Sequence, residues 1–210
     1  LLKQEALEEM FEDRYTDEYV SQEFLDLVEC YGGNRGDDKL QKTVMELYNY
    51  VQSHPWPEKW LKEHTEAFNL TEDQDIRDLP WAKVLVDNIL IELAGFRENL
   101  EKAIEIAREG EGLEPYLATL KCDIGLIERL MKACDGSWEQ MYNVFSTLEF
   151  ETLGRCKKNA DKVKQDEVKK IRDSVKDGVK KICNDIFQYN PQQIVKQLKE
   201  VYPLLKCLSS

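Results

Sequence analysis

The chain has 210 residues and a mass of 24.6 kDa, enough to bury roughly 70% of its unfolded surface without disulfide or metal staples. A net charge of −12 and a pI near 4.8 argue against a surface that holds nucleic acid all over, because such surfaces carry an excess of Lys and Arg. No run reaches the roughly 18–20 apolar residues that cross a bilayer, and no signal or transit peptide is visible, so a cytoplasmic protein is expected. The chain begins at Leu1 without Met and ends in Ser209-Ser210, and so reads as an excerpt of something longer.

Helical periodicity dominates, with almost no period-2 alternation, which predicts an all-α fold. A first helix is expected over 2–15, with Leu7, Met10 and Phe11 inward. A second follows Ser21, carries Phe24, Leu25, Leu27 and Val28, and stops at Gly32-Gly33. Asp37 or Asp38 caps a third, whose face is Leu40, Val44, Leu47, Tyr48 and Val51. His54-Pro55-Trp56-Pro57 breaks it, and Pro57 can open the next helix, where its missing N–H costs nothing. That helix carries Trp60, Leu61 and Phe68. Thr71 with Gln74 has the spacing of a capping box.

Asp78 is expected to cap a long helix over 80–109, with Trp81, Leu85, Ile89, Leu93, Phe96, Leu100 and Ile104 on one stripe. At 1.5 Å per residue it spans roughly 45 Å. Gly110-Glu111-Gly112 ends it. A single domain over 1–210 is expected; the alternative is two lobes, 1–109 and 113–210, for which Gly110–Gly112 is the best candidate boundary. The next helix covers 115–133 with Leu117, Leu120, Ile124, Ile127, Met131 and Cys134 inward. Ser137 and Gln140 form a second capping box, opening a short helix with Met141, Tyr142 and Phe145. The weakest helical signal lies over 150–160. A second long helix covers 161–189, and Asn190-Pro191 starts a last one with Ile194, Leu198, Val201 and Leu205, cut by Pro203. The total is about eight or nine helices, two of them long, in an irregular bundle, with no solenoid repeat.

Several chemistries are missing from the sequence. It contains no GxxxxGK[ST], HExxH or GxSxG. The cysteines, Cys30, Cys122, Cys134, Cys156, Cys183 and Cys207, form no CxxC and have no His at ligand spacing, so buried reduced thiols are expected. The two histidines, His54 and His64, are separated by two prolines. Asp37-Asp38 and Glu149/Glu151 are carboxylate pairs of the kind metal-dependent nucleases use, but a helix cap accounts for the first, and the second points to two faces if helical. Arg35-Gly36-Asp37 is too short a match to imply adhesion. Trp56, Trp60 and Trp81 are expected in the core, Trp56 at a helix corner. No catalytic residue and no metal or cofactor site is therefore expected.

Charge is unevenly spread. Residues 1–29 hold ten acidic side chains against Lys3 and Arg14, whereas 155–181 hold eleven basic ones against Asp161, Asp166, Glu167, Asp173 and Asp177. In the basic helix, Val168, Ile171, Val175, Val179, Ile182 and Ile186 form an apolar seam. Lys162, Lys169, Arg172, Lys176 and Lys180 form a second stripe roughly 115° around. Over ~27 Å these five cations could follow a phosphate backbone, extended by Arg155, Lys157 and Lys158. The same spacing suits a solvated face with pairs such as Lys169–Asp173 and Asp177–Lys181.

The stretch 29–61, ECYGGNRGDDKLQKTVMELYNYVQSHPWPEKWL, has an unusual order: an aromatic-Gly-Gly turn, Arg-Gly-Asp-Asp, one amphipathic helix, then Ser-His-Pro-Trp-Pro with Trp60-Leu61. It resembles the AddA (RexA) family of bacterial ATP-dependent helicase-nuclease subunits, in the helical insertion, subdomain 1B, of the first motor domain. LLKQEALEEMFEDRY, GLEPYLATLKCDIGLIERL and KKIRDSVKDGVKKI look like further segments of that family, so the resemblance covers most of the chain. It implies a parent protein of the UvrD/RecB-like superfamily 1, with a C-terminal nuclease domain, that uses ATP and Mg²⁺ in DNA break repair. The family's motor and nuclease residues all fall outside this segment, and its iron–sulfur cysteines belong to the partner subunit. The implied role is to hold double-stranded or forked DNA ahead of the motor. The implied alternative is a scaffold that docks an AddB-type partner or buttresses the AddA motor.

Overall fold

A computed structural model describes residues 2–17, 20–33, 36–71 and 74–210. Among them the fold is all-α, with nine α-helices, one 3-10 turn and no strand. The chain divides into two compact units, Leu1–Glu72 with Val195–Ser210, and Asp73–Ile194.

The first unit holds α1 (Leu2–Thr16), α2 (Gln22–Tyr31), α3 (Asp38–Val51), α4 (Pro57–Glu66) and most of α9 (Pro191–Leu208). Ser21, which the second helix is expected to follow, caps α2 by accepting from the Phe24 N–H at 3.2 Å, and Pro57 is the first residue of α4, as the sequence predicts. Asp37 stands at the N-cap of α3 but makes no capping bond there; its carboxylate accepts from Gln41 Nε2 at 3.1 Å. The core is Phe11, Phe24, Leu27 and Leu40, with Leu7, Val28, Val44, Leu204, Cys207 and Leu208 packed against it. Met10, expected inward, is exposed.

Pro203 does not cut α9, which runs through it. A proline inside a helix removes one backbone bond, but Leu204, Cys207 and Leu208 beyond it are held by the core and keep the turn wound. Trp56 is also a correction: it is 74% exposed rather than buried in a corner, because it stands at the non-helical N-cap of α4 between two prolines. Trp60 is half-buried, with the rings of His54 and His64 stacked on it at 4.5 and 3.9 Å. Residues 72–73 of the Thr71/Gln74 box, and Arg35 of the Arg-Gly-Asp triplet, lie outside the described residues.

The second unit is built on α5 (Pro80–Glu109), which packs against both α6 (Glu114–Ala133) and α8 (Lys162–Ile186), with α7 (Trp138–Ser146) beside α6. Gly178 lets α8 approach α5 closely, since a Cβ there would enter the space of the Phe96 ring. The Ser137–Gln140 capping box of α7 forms as predicted. Asp78, expected to cap α5, ends a 3-10 turn (Ile76–Asp78) instead. Asp75 caps that turn, accepting from Arg77 N at 2.8 Å and from Trp138 N at 3.1 Å. The Arg77 guanidinium in turn donates to the carbonyls of Asp135 and Gly136 at 2.5 and 2.7 Å, tying the 3-10 turn to the α6–α7 turn. Trp138, Phe145 and Phe187 form the aromatic end of the core.

The division between units thus falls at 72–73 and 194–195, not at Gly110–Gly112. The α5–α6 turn is internal to the second unit because the segment before α8 closes over it. Lys157 N donates to Gly112 O at 3.2 Å, Asp161 N to Glu111 O at 3.0 Å, and Asn159 Nδ2 to Glu111 Oε1 at 2.7 Å. Gly112 adopts φ +74°, so a left-handed turn, rather than a linker, explains the glycine.

Candidate nucleic-acid interface

Helix α8 is capped by Asp161, whose carboxylate accepts from Val163 N at 3.0 Å and Lys164 N at 3.2 Å. Its apolar seam seats as expected: Val168, Val175, Val179 and Ile182 are buried. The opposite side of the helix stays in solvent. Lys162 and Lys180 are exposed and Lys169 and Lys176 half-buried, with no ion pair at any of the four among the described residues. The anticipated neutralising pairs Lys169–Asp173 and Asp177–Lys181 do not close to within 4.0 Å, although i,i+4 pairs of this kind form elsewhere, as at Lys42–Glu46 and Lys59–Glu63.

Arg172 is the exception, and it corrects the predicted stripe. It is 3% exposed, and its guanidinium forks onto Asp123 of α6, Nε to Oδ2 at 2.5 Å and Nη2 to Oδ1 at 3.1 Å. The same Nη2 donates to the Glu151 carbonyl at 2.5 Å, and the Phe150 ring lies over the cation at 5.9 Å. At 100° per residue, Arg172 falls roughly 55° from the centre of the apolar seam, whereas the four lysines fall roughly 100–140° away. Arg172 is therefore carried into the α6–α8 interface and cannot reach a phosphate.

The segment 148–160, which contains the weakest helical signal in the sequence, 150–160, is non-helical. It is a strap that returns from the end of α7 to the start of α8. Its anchors are Glu151 O on Arg172, Gly154 close against the Pro115 carbonyl, and the bonds from Lys157 and Asp161 to the α5–α6 turn. Arg155, Lys157 and Lys158 project from it, all exposed. Lys157 Nζ lies 3.2 Å from Glu114, whose carboxyl is held below the usual range by its own backbone N–H and then by Lys157. Lys164 pairs with Glu109 at 3.1 Å. Arg155 and Lys158 have no ion pair among the described residues.

Asp123 is the functional-looking residue that sequence reasoning passed over. Helix α6 buries Tyr116, Thr119, Leu120, Asp123, Leu126, Ile127 and Leu130, a face turned by about one residue from the expected one. A single apolar stripe would hide that shift, because α6 meets α5 on one side and the α8 cation on another. The lone signal was an acid within an apolar run, matched by a base near the seam of α8. No group of three His, Cys, Asp or Glu side chains converges as for a metal ion among the described residues. Glu149 and Glu151 are exposed strap residues. None of the described helices is long and apolar enough to cross a membrane. The six cysteines are unpaired, but only Cys134 is fully buried, and Cys30 and Cys122 are exposed, against expectation.

No family model matches the chain. Compared with single proteins, it is similar from end to end to a segment of the A subunit of the ATP-dependent helicase/nuclease of three bacteria. Identity is 40% for Acetivibrio thermocellus, 39% for Ruminiclostridium cellulolyticum and 42% for Clostridium acetobutylicum. The chain spans about 17% of the length of these curated relatives. An all-α chain that matches over its whole length at this identity belongs to the family of ATP-dependent helicase/nuclease A subunits, as a segment of about one sixth of such a protein.

Proposed function

We propose that this chain is a non-catalytic helical insertion, of the 1B kind, in an ATP-dependent helicase/nuclease subunit that acts in DNA break repair, and that it holds duplex DNA ahead of the motor. The observation that supports it most is the row Lys162, Lys169, Lys176 and Lys180: four cations on one side of a 25-residue helix, with no ion pair among the described residues. Arg155 and Lys158 add two more. The name of the relatives supplies the helicase and nuclease context. A rigid rod with a charged edge can follow a phosphate backbone without reading sequence, which is what a motor that moves over any sequence needs.

In this reading ATP, Mg²⁺ and the residues that use them lie in the rest of the parent protein. The AddA motor and an AddB-type subunit are its protein partners, and the cytoplasm its compartment. The purified chain should bind a forked duplex in low salt, while neither hydrolysing ATP nor cutting DNA. Cleavage or unwinding by the chain itself would overturn the non-catalytic assignment.

A second reading, a scaffold for a partner subunit or the motor, draws on a separate observation. Ile91, Val84 and Val163 of the second unit are 71%, 59% and 79% exposed. Trp and Tyr hot spots are typical of protein interfaces, and Trp56 of the first unit is exposed as well. Protection of these side chains from solvent labelling in the two-subunit complex, together with no duplex binding by the chain, would favour it.

A further inference from the structure

We infer that the strap 148–160 is an anchored arm of the basic face, and that Arg172 and Asp123 are its positioning residues. Arg172 would act on DNA through Arg155 and Lys158, which it holds in place, and not by touching DNA. The inference rests on the duplex-binding reading above.

The strap is 13 residues of chain without regular structure, in a unit otherwise made of packed helices. Such a segment would ordinarily be free to move, and a mobile arm loses conformational entropy when a ligand orders it. Here the ordering is built into the fold at four places. Glu151 O accepts from Arg172 Nη2 at 2.5 Å. The Gly154 backbone lies so near the Pro115 carbonyl that a Cβ would come within 2.9 Å of it. Lys157 N reaches Gly112 O at 3.2 Å, and Asp161 N reaches Glu111 O at 3.0 Å. Only the first of these anchors uses a side chain of α8, and that side chain is buried.

The chemistry of the staple fits a positioning task. A buried ion pair adds little net stability, but its planar fork fixes geometry on two partners at once. Two donors of Arg172 meet Asp123, which sets the guanidinium plane, and that plane aims Nη2 at the strap carbonyl. A lysine could satisfy Asp123 but has no second arm in a fixed direction. Between this staple and the α5–α6 turn the strap carries Arg155, Lys157 and Lys158 outward. Lys157 is engaged by Glu114, leaving Arg155 and Lys158 as the strap's unpaired cations among the described residues, with Lys162 next at the head of α8.

The test compares three variants of this chain with the unsubstituted sequence: Arg172→Lys; Arg172→Met with Asp123→Leu, which removes both buried charges together; and Arg155→Gln with Lys158→Gln. Folding is checked by circular dichroism. Binding of a labelled duplex of about 30 base pairs is followed by anisotropy across a salt series, and trypsin cleavage after Arg155, Lys157 and Lys158 is timed. Both staple variants should be cut in the strap roughly tenfold faster or more, as expected where opening of the strap limits cleavage. Two lost phosphate contacts should make the slope of log K against log salt shallower by about 1.8. Arg155→Gln with Lys158→Gln should flatten the slope equally, and adding Arg172→Lys to it should change the slope no further, a coupling that mere destabilisation does not produce.

If the unsubstituted chain binds and a folded staple variant keeps its slope and its trypsin rate, the inference is wrong and the duplex-binding reading stands. An unchanged slope in Arg155→Gln with Lys158→Gln sinks it even if both staple variants unfold. If the unsubstituted chain does not bind duplex in low salt, the functional reading fails and the role of the strap cations falls with it.

Discussion

Arg172 and Lys176 sit four residues apart on one helix, and burial separates what they do. Lys176 is half-buried and has no ion pair among the described residues, while Arg172 is desolvated and must remain paired. Arg172→Ala or Asp123→Ala would orphan a buried charge and should cost about 3–5 kcal/mol in urea unfolding. Replacing both, Arg172→Met with Asp123→Leu, should cost far less, since neither charge is then stranded. Cys134 gives a second residue-scale expectation. Burial lifts its thiol from near 9 to about 11. In the unfolded chain that thiol ionises near its ordinary value, so the unfolded form is favoured as pH rises. Stability from this group is complete below about pH 9 and is lost as pH rises through about 11. Cys134→Ala should flatten part of that decline. At neutral pH, thiol reagents should label exposed Cys30 and Cys122 readily and leave Cys134 untouched until the chain unfolds.

At the scale of the elements, helix-initiation chemistry was largely legible in the sequence. Pro57, Pro80, Asp161 and the Ser137–Gln140 box open α4, α5, α8 and α7 where expected, because these residues act through local backbone geometry alone. What was not legible depended on a partner distant in the chain. Asp78 ends a 3-10 turn capped by Asp75, which is bonded to Trp138, 63 residues on, and α5 opens at Leu79 without a side-chain cap. The strap could be recognised as non-helical, but not as the lid of the α5–α6 turn. That turn is why Gly110–Gly112 looked like a linker. Gly112→Ala would meet both the left-handed φ and the Ala160 backbone at 3.0 Å, and should cost roughly 1–3 kcal/mol in thermal or urea unfolding. The Glu114–Lys157 contact should outlast ordinary carboxylates on acidification. Its depressed acid contributes above its unfolded pKa and is lost only as pH falls through the folded value.

For the whole molecule, the mean charge misleads. A value of −12 conceals an acidic run, 1–29, in the first unit and a basic run, 155–181, in the second. The candidate face was legible as a stripe because helical spacing is fixed. Its true membership was not, because a cation near an apolar seam enters solvent or the core according to whether a buried acid awaits it. Five α8 cations become four, and the charge-reversal variant must leave Arg172 alone, since a glutamate beside Asp123 would unfold the unit rather than probe DNA. The most direct test is therefore anisotropy of a labelled duplex, from low to moderate salt, with the unsubstituted chain beside Lys162→Glu, Lys169→Glu, Lys176→Glu and Lys180→Glu combined. The account predicts binding whose log–log salt slope is about −3 to −5 and which vanishes in the folded variant. Equal binding by both chains, or none by either in low salt, would contradict it and leave the scaffold reading in its place.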